Sequence, residues 1–277
     1  MSLRSTIKKH VALPWPLLYI YRKVYYAPKD IPAALGFIFN STKSPTTFGE
    51  RLALVLKFYK ISYYVDCPHT EHEMIAITRQ ILNLGAGGDA ANGVNGHDAS
   101  ATAVPGVIVE AGSFHGGSTA KFSLVAKLCD RQFHVFDSFA GMPENSEEHG
   151  KSIYGREHHF PKGSHAVPFE EVKNNVARYG DASRTHYHKG FFSDTMPLFH
   201  EPVAAACVNV DLVQSTRDCY HYLYPLLSPG GIIISQDAHF PWIIELFNDN
   251  TFWEKELGIK KPAMPGLGTL KFVTVRK

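Results

Sequence analysis

Four acidic side chains, each placed at the end of an apolar run, are the first candidates for chemistry in this chain. They are Glu110, Asp137, Asp211 and Asp237. The apolar runs before them are typical of β-strands buried on both faces. Because helix-like segments alternate with these strands, the sequence predicts a parallel sheet with helices on both faces. Ligands of such sheets bind beyond the carboxyl ends of the strands, so the four carboxylates are predicted to surround one site.

A glycine-rich turn follows the first of these acids, within VIVEAGSFHGGST at 107–119. Gly112, Gly116 and Gly117 separate the first strand from a helix predicted over 118–128. Glycine lets a backbone approach a ligand closely, and a helix N-terminus offers unpaired N–H groups. The spacing differs from the GxGxxG fingerprint, which argues against a nicotinamide dehydrogenase. The turn predicts a nucleotide-like cofactor with hydroxyl or ammonium groups near Glu110, and a turn that serves only packing is the alternative.

The acid at the end of the second strand, Asp137, is placed to accept hydrogen bonds from both hydroxyls of a ribose. A purely local turn role is the alternative. A polar segment at 144–167 follows, and it contains four histidines without regular spacing. A long polar segment at this edge of a sheet is a candidate lid or substrate loop. No histidine of the segment is assigned a role.

The composition indicates an ordinary globular protein. Hydrophobic residues make up 44% of the 277 residues, charged residues make up 19%, and the net charge of +2 gives no case for nucleic-acid binding. No apolar stretch is long enough to span a bilayer. Near the N-terminus, Pro14 and Pro16 break the only stretch that resembles a signal peptide, so export is not expected. Four cysteines without framework spacing predict reduced thiols and a cytoplasmic location.

The sequence predicts three segments: a helical arm or cap at 1–84, a flexible small-residue loop at 85–106, and the main domain at 107–277. Six basic residues and no acid precede Asp30, with aromatic residues between them. This mixture allows contact with an anionic membrane. Prolines are expected to interrupt a long amphipathic helix, however, so packing on the domain or on a second subunit is favoured.

Two further helices are predicted within this arm. One covers 48–59. The other starts at a capping box formed by Thr70 and Glu73, and this interpretation is favoured over a metal site that includes Cys67 and His69.

Six separated segments resemble the macrocin O-methyltransferase family. They are VIVEAGSFHGGST, HVFDSFAGMPE, FEEVKNNVARYG, HKGFFSDTMP, VDLVQST and YPLLSPGGIIISQDAH. The resemblance runs in order from Val107 to Ser235. It implies a Rossmann-like class I methyltransferase fold with a mostly parallel seven-stranded sheet. It also implies an S-adenosylmethionine-dependent enzyme that methylates a sugar or phenolic hydroxyl of a natural product, usually with magnesium.

The resemblance assigns residues to the cofactor by position. The methionine part would face the first strand and turn, Asp137 would hold the ribose, and Ser138 and Phe139 would lie near the adenine. The residues implied at the first strand and turn are Glu110, Ala111, Gly112, Ser113, Gly116, Gly117 and Ser118.

The resemblance also implies a general base, Asp211, with His239 as an alternative base nearby. Family members hold their metal with acids at the positions of Asn209, Gln236 and Asp237, but only Asp237 is acidic here. Because carboxylates supply most of the affinity for magnesium, metal dependence stays open. The leading hypothesis is an O-methyltransferase acting on a small-molecule hydroxyl. The alternative is a catalytically silent binding or scaffold protein, and a homodimer through the N-terminal arm is possible.

Overall fold

A six-stranded sheet forms the centre of the protein, whose computed structural model describes residues 15–87 and 103–277. The strand order is β3-β2-β1-β4-β5-β6. Strands β1 to β5 are parallel and β6 is antiparallel to β5. The strands are β1 (Val107–Ala111), β2 (Phe133–Asp137), β3 (Thr185–Lys189), β4 (Val203–Val208), β5 (Leu227–Ser235) and β6 (Val273–Arg276). The predicted mostly parallel α/β sheet is confirmed.

Helices alternate with the strands after β1 and precede the sheet before it. The α-helices are α1 (Trp15–Phe39), α2 (Phe48–Tyr64), α3 (Glu71–Leu82), α4 (Gly117–Leu128), α5 (Phe169–Tyr179), α6 (Phe192–Thr195), α7 (Val213–Leu226) and α8 (Pro241–Asn248). A 3₁₀ turn (Met196–Leu198) follows α6, and a π-helical turn (Phe252–Glu256) follows α8.

The seventh strand that the resemblance implied is not confirmed. The described residues form six strands, and the segment 257–272 before β6 contains none. Pro262 and Pro265 lie in this segment and cannot donate hydrogen bonds to a ladder. Gly266 and Gly268 adopt positive φ angles, which an extended strand does not use.

The expectation that prolines would interrupt the N-terminal helix was wrong. Helix α1 is 25 residues long and contains Pro28 and Pro32. Both prolines are exposed. A proline in a helix leaves the carbonyl four residues earlier without its N–H partner. Since the prolines lie on the solvent side, the carbonyls of Val24 and Pro28 are free to be hydrated there, which lowers the cost of the two missing bonds.

The N-terminal helices share a hydrophobic core with the sheet. Side chains of α1, α2, α3 and α4 pack with Ile108 of β1, whereas the neighbouring Val109 packs on the opposite face with residues of α7 and α8. Successive residues of a strand point to opposite faces, so one strand contributes to both clusters. The cap predicted from the sequence is therefore part of the packed structure.

A buried ion pair joins this cap to the sheet domain. Glu71 of α3 lies 3.5 Å from the ammonium group of Lys121 on α4, and both side chains are fully buried. Lys23 of α1 contacts the other oxygen of the same carboxylate, and Lys121 also donates to Ser62 of α2 at 2.7 Å. Burial alone would raise the pKa of Glu71, but the charges of Lys121 and Lys23 outweigh it and lower that pKa. Glu71 is thus ionised where four helices meet.

Hydrogen bonds from Arg131 connect the two ends of the segment 85–106, which was predicted to be flexible. The guanidinium group of Arg131 donates to the carbonyls of Gly85 at 2.9 Å and Val104 at 2.6 Å. Residues 88–102, which make up most of the predicted loop, lie outside the described residues.

The cysteines are buried and free, as the sequence predicted. In the part of the chain that the structure describes, no helix has the length and apolar character needed to cross a bilayer.

Glu71→Gln is expected to destabilise the protein by about 3–5 kcal/mol, because it leaves the buried Lys121 ammonium without its charged partner. Chemical denaturation measures this loss. Glu144→Gln is the matched control, since its partner Lys162 is largely exposed, and it should cost no more than about 1 kcal/mol. Equal effects of the two substitutions would contradict a structural role for the buried pair.

Candidate active site

A cavity of about 610 Å³ lies at the carboxyl edge of the sheet. Asp137, Asp211 and Asp237, three of the four acids selected from the sequence, line it. They follow β2, β4 and β5, and parallel strands bring their carboxyl ends to the same edge. The fourth acid, Glu110, is not part of the cavity wall.

The glycines of the first turn are required by the packing of the protein itself. Gly112 has a φ of +87°, and a Cβ atom there would overlap the carbonyl oxygen of Asn209. At Gly117 a Cβ would lie 2.8 Å from the Asp66 carbonyl oxygen and from the Cys67 Cβ. Gly116 also has positive φ, and its Cβ would contact Val172. Of these three glycines only Gly112 lines the cavity, so packing accounts for the other two.

Asp137 organises this turn as well as lining the cavity. One carboxylate oxygen accepts hydrogen bonds from the backbone N–H and the hydroxyl of Ser113, at 2.7 and 2.8 Å. The other oxygen accepts from the N–H of Phe139 at 2.7 Å. Ser138 lines the cavity, and Phe139 packs instead against Phe169. Asp137 therefore has one carboxylate oxygen with lone-pair capacity left for a ligand.

Glu110 is buried beside the start of α4. Its Oε1 atom accepts a hydrogen bond from Ser118 at 2.6 Å, and its Oε2 atom is buried without a partner among the described residues. Burial raises the pKa of Glu110 to about 8, although the hydroxyl of Ser118 acts in the opposite direction. The neighbouring Ala111 is also buried. A cationic ligand group near Glu110 would favour the ionised form of its carboxylate. The sequence analysis expects such a group, an ammonium, at this position.

Asp237 holds the loop that carries Asp211. Its Oδ2 atom accepts hydrogen bonds from the N–H groups of Val210 at 2.7 Å and Asp211 at 3.0 Å. The carbonyl of Asp211 in turn accepts from the indole N–H of Trp242 at 2.8 Å. These bonds fix Asp211 at a φ of +61°, a left-handed conformation that is uncommon for residues other than glycine.

The two aspartates also influence each other's charge. Burial, and then the charge of Asp237, raise the pKa of Asp211 well above its ordinary value, while Lys271 acts against this. Burial likewise raises the pKa of Asp237. A carboxylate with a raised pKa is a stronger proton acceptor once it is ionised, which is the property of a general base.

Lys271 is a cavity residue that sequence reasoning missed. It precedes β6, and its ammonium group lies 3.3 Å from Nδ1 of His69 and 3.2 Å from Glu73. The other ring nitrogen of His69 lies 3.2 Å from the side-chain amide of Asn209. Glu73 also accepts from the N–H of Thr70, as the predicted capping box requires. The segment interpreted only as a helix start thus also supplies a wall of the cavity.

A magnesium site at Asn209, Gln236 and Asp237 stays a prediction. Asp237 uses its Oδ2 atom on two backbone N–H groups, whereas its Oδ1 atom and the Oε1 atom of Gln236 are buried without a partner among the described residues. Asn209 contacts His69 through its side-chain NH₂ group, so this contact does not use its carbonyl oxygen. Gln236 is buried but is not part of the cavity wall. Because Asp237 is the one carboxylate of the three, this set would bind magnesium more weakly than a set of several carboxylates. Within residues 15–87 and 103–277, no group of three or more His, Cys, Asp or Glu side chains is arranged to hold a metal ion.

His239, the alternative base, lines the cavity and is largely buried. Burial, and then the positive charges of Lys271 and His158, lower the pKa of His239 to about 4. His239 is therefore neutral near pH 7 and a weaker proton acceptor than a carboxylate with a raised pKa.

The polar segment at 144–167 folds over this edge, where the sequence placed a lid or substrate loop. Glu147 accepts hydrogen bonds from the N–H groups of Val213 and Gln214, the first residues of α7, at 2.7 and 2.9 Å. His158 and His165 of the segment line the cavity. These positions were not predicted, because the irregular spacing of histidines in a loop does not indicate which side chains face the cavity.

The fold defines the class of protein. It is similar to the structure of the O-methyltransferase NovP, with a TM-score of 0.50, 25% identity and coverage of 63% of this chain and 72% of that one. It is also similar to CalS11, the calicheamicin methyltransferase, with a TM-score of 0.50, 19% identity and coverage of 88% and 96%. The chain has a methyltransferase fold.

The family follows from the sequence match. The model of the macrocin-O-methyltransferase (TylF) family matches residues 64–262. The chain therefore belongs to the macrocin O-methyltransferase family, as the six segments indicated, and with it to the predicted class of S-adenosylmethionine-dependent methyltransferases.

Curated relatives carry related names. The chain is 37% identical over 143 residues to the 8-demethyl-8-(2,3-dimethoxy-alpha-L-rhamnosyl)-tetracenomycin-C 4'-O-methyltransferase of Streptomyces olivaceus, covering 50% of this chain and 54% of the relative. It is 30% identical over 177 residues to the demethyldecarbamoylnovobiocin O-methyltransferase of Streptomyces niveus, covering 62% and 64%. The chain thus spans about half to two thirds of the length of these relatives.

Gly112→Ala is expected to destabilise the protein through two effects, the positive φ angle and the overlap with the Asn209 carbonyl. Gly155→Ala is the matched control, because Gly155 has a φ of +74° but no atom within 4 Å of the position that a Cβ would take. The control should cost about 1–2 kcal/mol, and Gly112→Ala should cost about 1–3 kcal/mol more. Thermal denaturation compares them, and equal losses would mean that the close approach to Asn209 is unimportant.

Proposed function

We propose that this protein transfers a methyl group from S-adenosylmethionine to a hydroxyl of a small molecule. The observation that carries the proposal is the cavity that Asp137, Asp211 and Asp237 line, in a chain of the macrocin O-methyltransferase family. Its position at the carboxyl edge suits a nucleotide-like cofactor next to an acceptor. The proposed acceptor is a sugar or phenolic hydroxyl of a natural product.

The residues near the first two strands fit the cofactor. Asp137 and Ser138 would hold its ribose and adenine end, and Gly112 leaves room on the cavity wall. The unpartnered Oε2 atom of Glu110 is a candidate acceptor for the ammonium group of the methionine part. When bound, the cofactor supplies an electrophilic methyl group on a sulfonium.

Asp211 is the proposed general base. An acceptor hydroxyl that attacks the methyl carbon must lose its proton as the new O–C bond forms. Asp211 lines the cavity, its loop is held by Asp237, and its pKa is raised by burial and by that neighbour. Lys271 places a positive charge on the same wall, where it favours the ionised form of Asp211.

The remaining wall suits a ring-containing acceptor. Phe160, Phe191, Phe192 and Phe240 line the cavity. Aromatic faces provide apolar contact for the C–H faces of a sugar or for an aromatic ring. The relatives' names, which describe O-methyltransferases of tetracenomycin, novobiocin and mycinamicin compounds, support a glycosylated or phenolic natural product.

The intact protein is expected to bind S-adenosylmethionine with a dissociation constant in the micromolar range, as measured by calorimetry. Asp137→Asn should weaken binding by about tenfold or more, because it removes the charge that accepts from the ribose. Asp181→Asn is the matched control, since this aspartate also accepts a backbone N–H, from Ser183, but lies outside the cavity. No binding by the folded intact protein would refute the proposal.

The pH dependence of turnover tests the base. The active form of Asp211 is deprotonated, so the rate should rise with pH through its raised pKa, above the ordinary aspartate range of about 4. Lys271→Met should move this rise to higher pH, and Lys255→Met, on an exposed turn, should leave it in place. Asp211→Asn should lower kcat by about 10²–10⁴-fold.

An unchanged kcat and an unchanged pH dependence of turnover in Asp211→Asn would contradict the assignment of Asp211 as the general base. Cofactor binding without methylated product from any hydroxylated acceptor would favour the silent binding protein.

A further inference from the structure

The loop that carries Asp211 has to be held in an unfavourable backbone conformation. Asp211 has a φ of +61°, and residues other than glycine keep such a conformation only where several contacts fix it. Asp237 fixes the loop through the N–H groups of Val210 and Asp211. Trp242 fixes it through the Asp211 carbonyl. A further contact holds the chain directly after Asp211, at the start of α7.

Helix α7 receives its N-terminal cap from a distant segment. Leu212, at the N-cap position, has no side-chain acceptor, and the first turn of the helix contains no acid. The N–H groups of Val213 and Gln214 instead donate to the two carboxylate oxygens of Glu147, at 2.7 and 2.9 Å. A carboxylate suits this position because the N–H groups of a first helical turn lack partners within the helix and carry partial positive charge. Glu147, which lies 66 residues before Val213, thus fixes the chain just beyond Asp211.

A second side chain of the segment 144–167 lies on the other side of Asp211. The ring of His149 packs against the ring of Trp242, with 5.1 Å between the two centroids. Trp242 is the residue that donates to the Asp211 carbonyl. The side chain of His149 is buried, and its Nε2 atom lies 3.9 Å from the carboxylate of Glu147. The segment therefore contacts both the helix that follows Asp211 and the indole that holds its carbonyl.

We propose that Glu147 is a positioning residue for Asp211, because its cap on α7 holds the backbone that places the Asp211 carboxylate on the cavity wall. This inference rests on the proposed role of Asp211 as the general base. Such a base must lie within hydrogen-bond reach of the acceptor hydroxyl, and small errors in its placement greatly reduce the rate. The segment 144–167 thus contributes to the reaction through the base as well as by covering the site.

A cap that only stabilises α7 would have a different consequence. Its loss would free the N–H groups of Val213 and Gln214, but the N–H groups of Val210 and Asp211 would stay bonded to Asp237. Only Leu212 separates Asp211 from the capped residues. If Glu147 positions the base, its loss therefore also lets Asp211 leave its left-handed conformation, and the bonds to Asp237 loosen.

Residue-resolved hydrogen exchange of the full chain tests the proposal. In Glu147→Ala, exchange at the N–H groups of Val210 and Asp211 should rise by about tenfold or more, because the loop opens locally. The dissociation constant of S-adenosylmethionine, measured by calorimetry, should stay unchanged. With the acceptor used to test Asp211→Asn, kcat should fall by about 10–100-fold while KM is unchanged, because the base and not the binding of the acceptor is affected.

Glu148→Ala is the matched control. Glu148 is the adjacent acid, is exposed and does not line the cavity, so this variant should resemble the intact protein in every measurement. Glu147→Gln keeps one carbonyl oxygen for one of the two N–H groups of α7. It should change exchange and kcat in the same direction as Glu147→Ala but by less, which separates positioning from a failure to fold.

Faster exchange confined to Val213 and Gln214 in Glu147→Ala would overturn the proposal in favour of a cap that only stabilises α7. A raised KM with an unchanged kcat would overturn it in favour of a direct contact between Glu147 and the acceptor. Failure of the proposed function has a different signature. In that case the intact protein binds no S-adenosylmethionine, or Asp211→Asn keeps its full kcat.

Discussion

The carboxylate of Glu71 is the point at which the two parts of this protein are joined. It lies between Lys121, on the helix that begins at the glycine-rich turn, and Lys23 of the long N-terminal helix. Ion pairs of this kind are costly to bury and costly to break, so they fix one arrangement of the helices around them. The first turn, its helix and the wall near His69 therefore depend on helices that carry no residue of the predicted site.

The acids at the sheet edge act first as structural residues. Asp137 and Asp237 each accept backbone N–H groups from a neighbouring loop, and those bonds shape the loops that border the cavity. The acids at these two strand ends therefore have a structural role in the loops that follow. At Asp137 the local turn role is confirmed and the ribose contact stays a prediction, whereas at Gly116 and Gly117 packing is sufficient.

Periodicity and strand-end acids predicted the sheet, the order of its elements and three cavity carboxylates, because these depend on local patterns. Two expectations failed for reasons of context. The prolines of α1 are tolerated since they face solvent, and the segment 257–272 is too rich in proline and glycine for another strand. The contact between Lys271 and His69 was beyond prediction, because only the folded topology brings such distant segments together.

That contact also has a consequence for synthesis. His69 and Lys271 are separated by 202 residues, and they lie on the same cavity wall. At ordinary translation speeds the ribosome needs about 10–40 s to cover that distance. Asp237, the last of the three aspartates, precedes Lys271 by 34 residues, so for about 2–7 s the nascent chain carries all three aspartates but not this ammonium group. The cavity therefore acquires the positive charge of Lys271 late, after most of the sheet has been made.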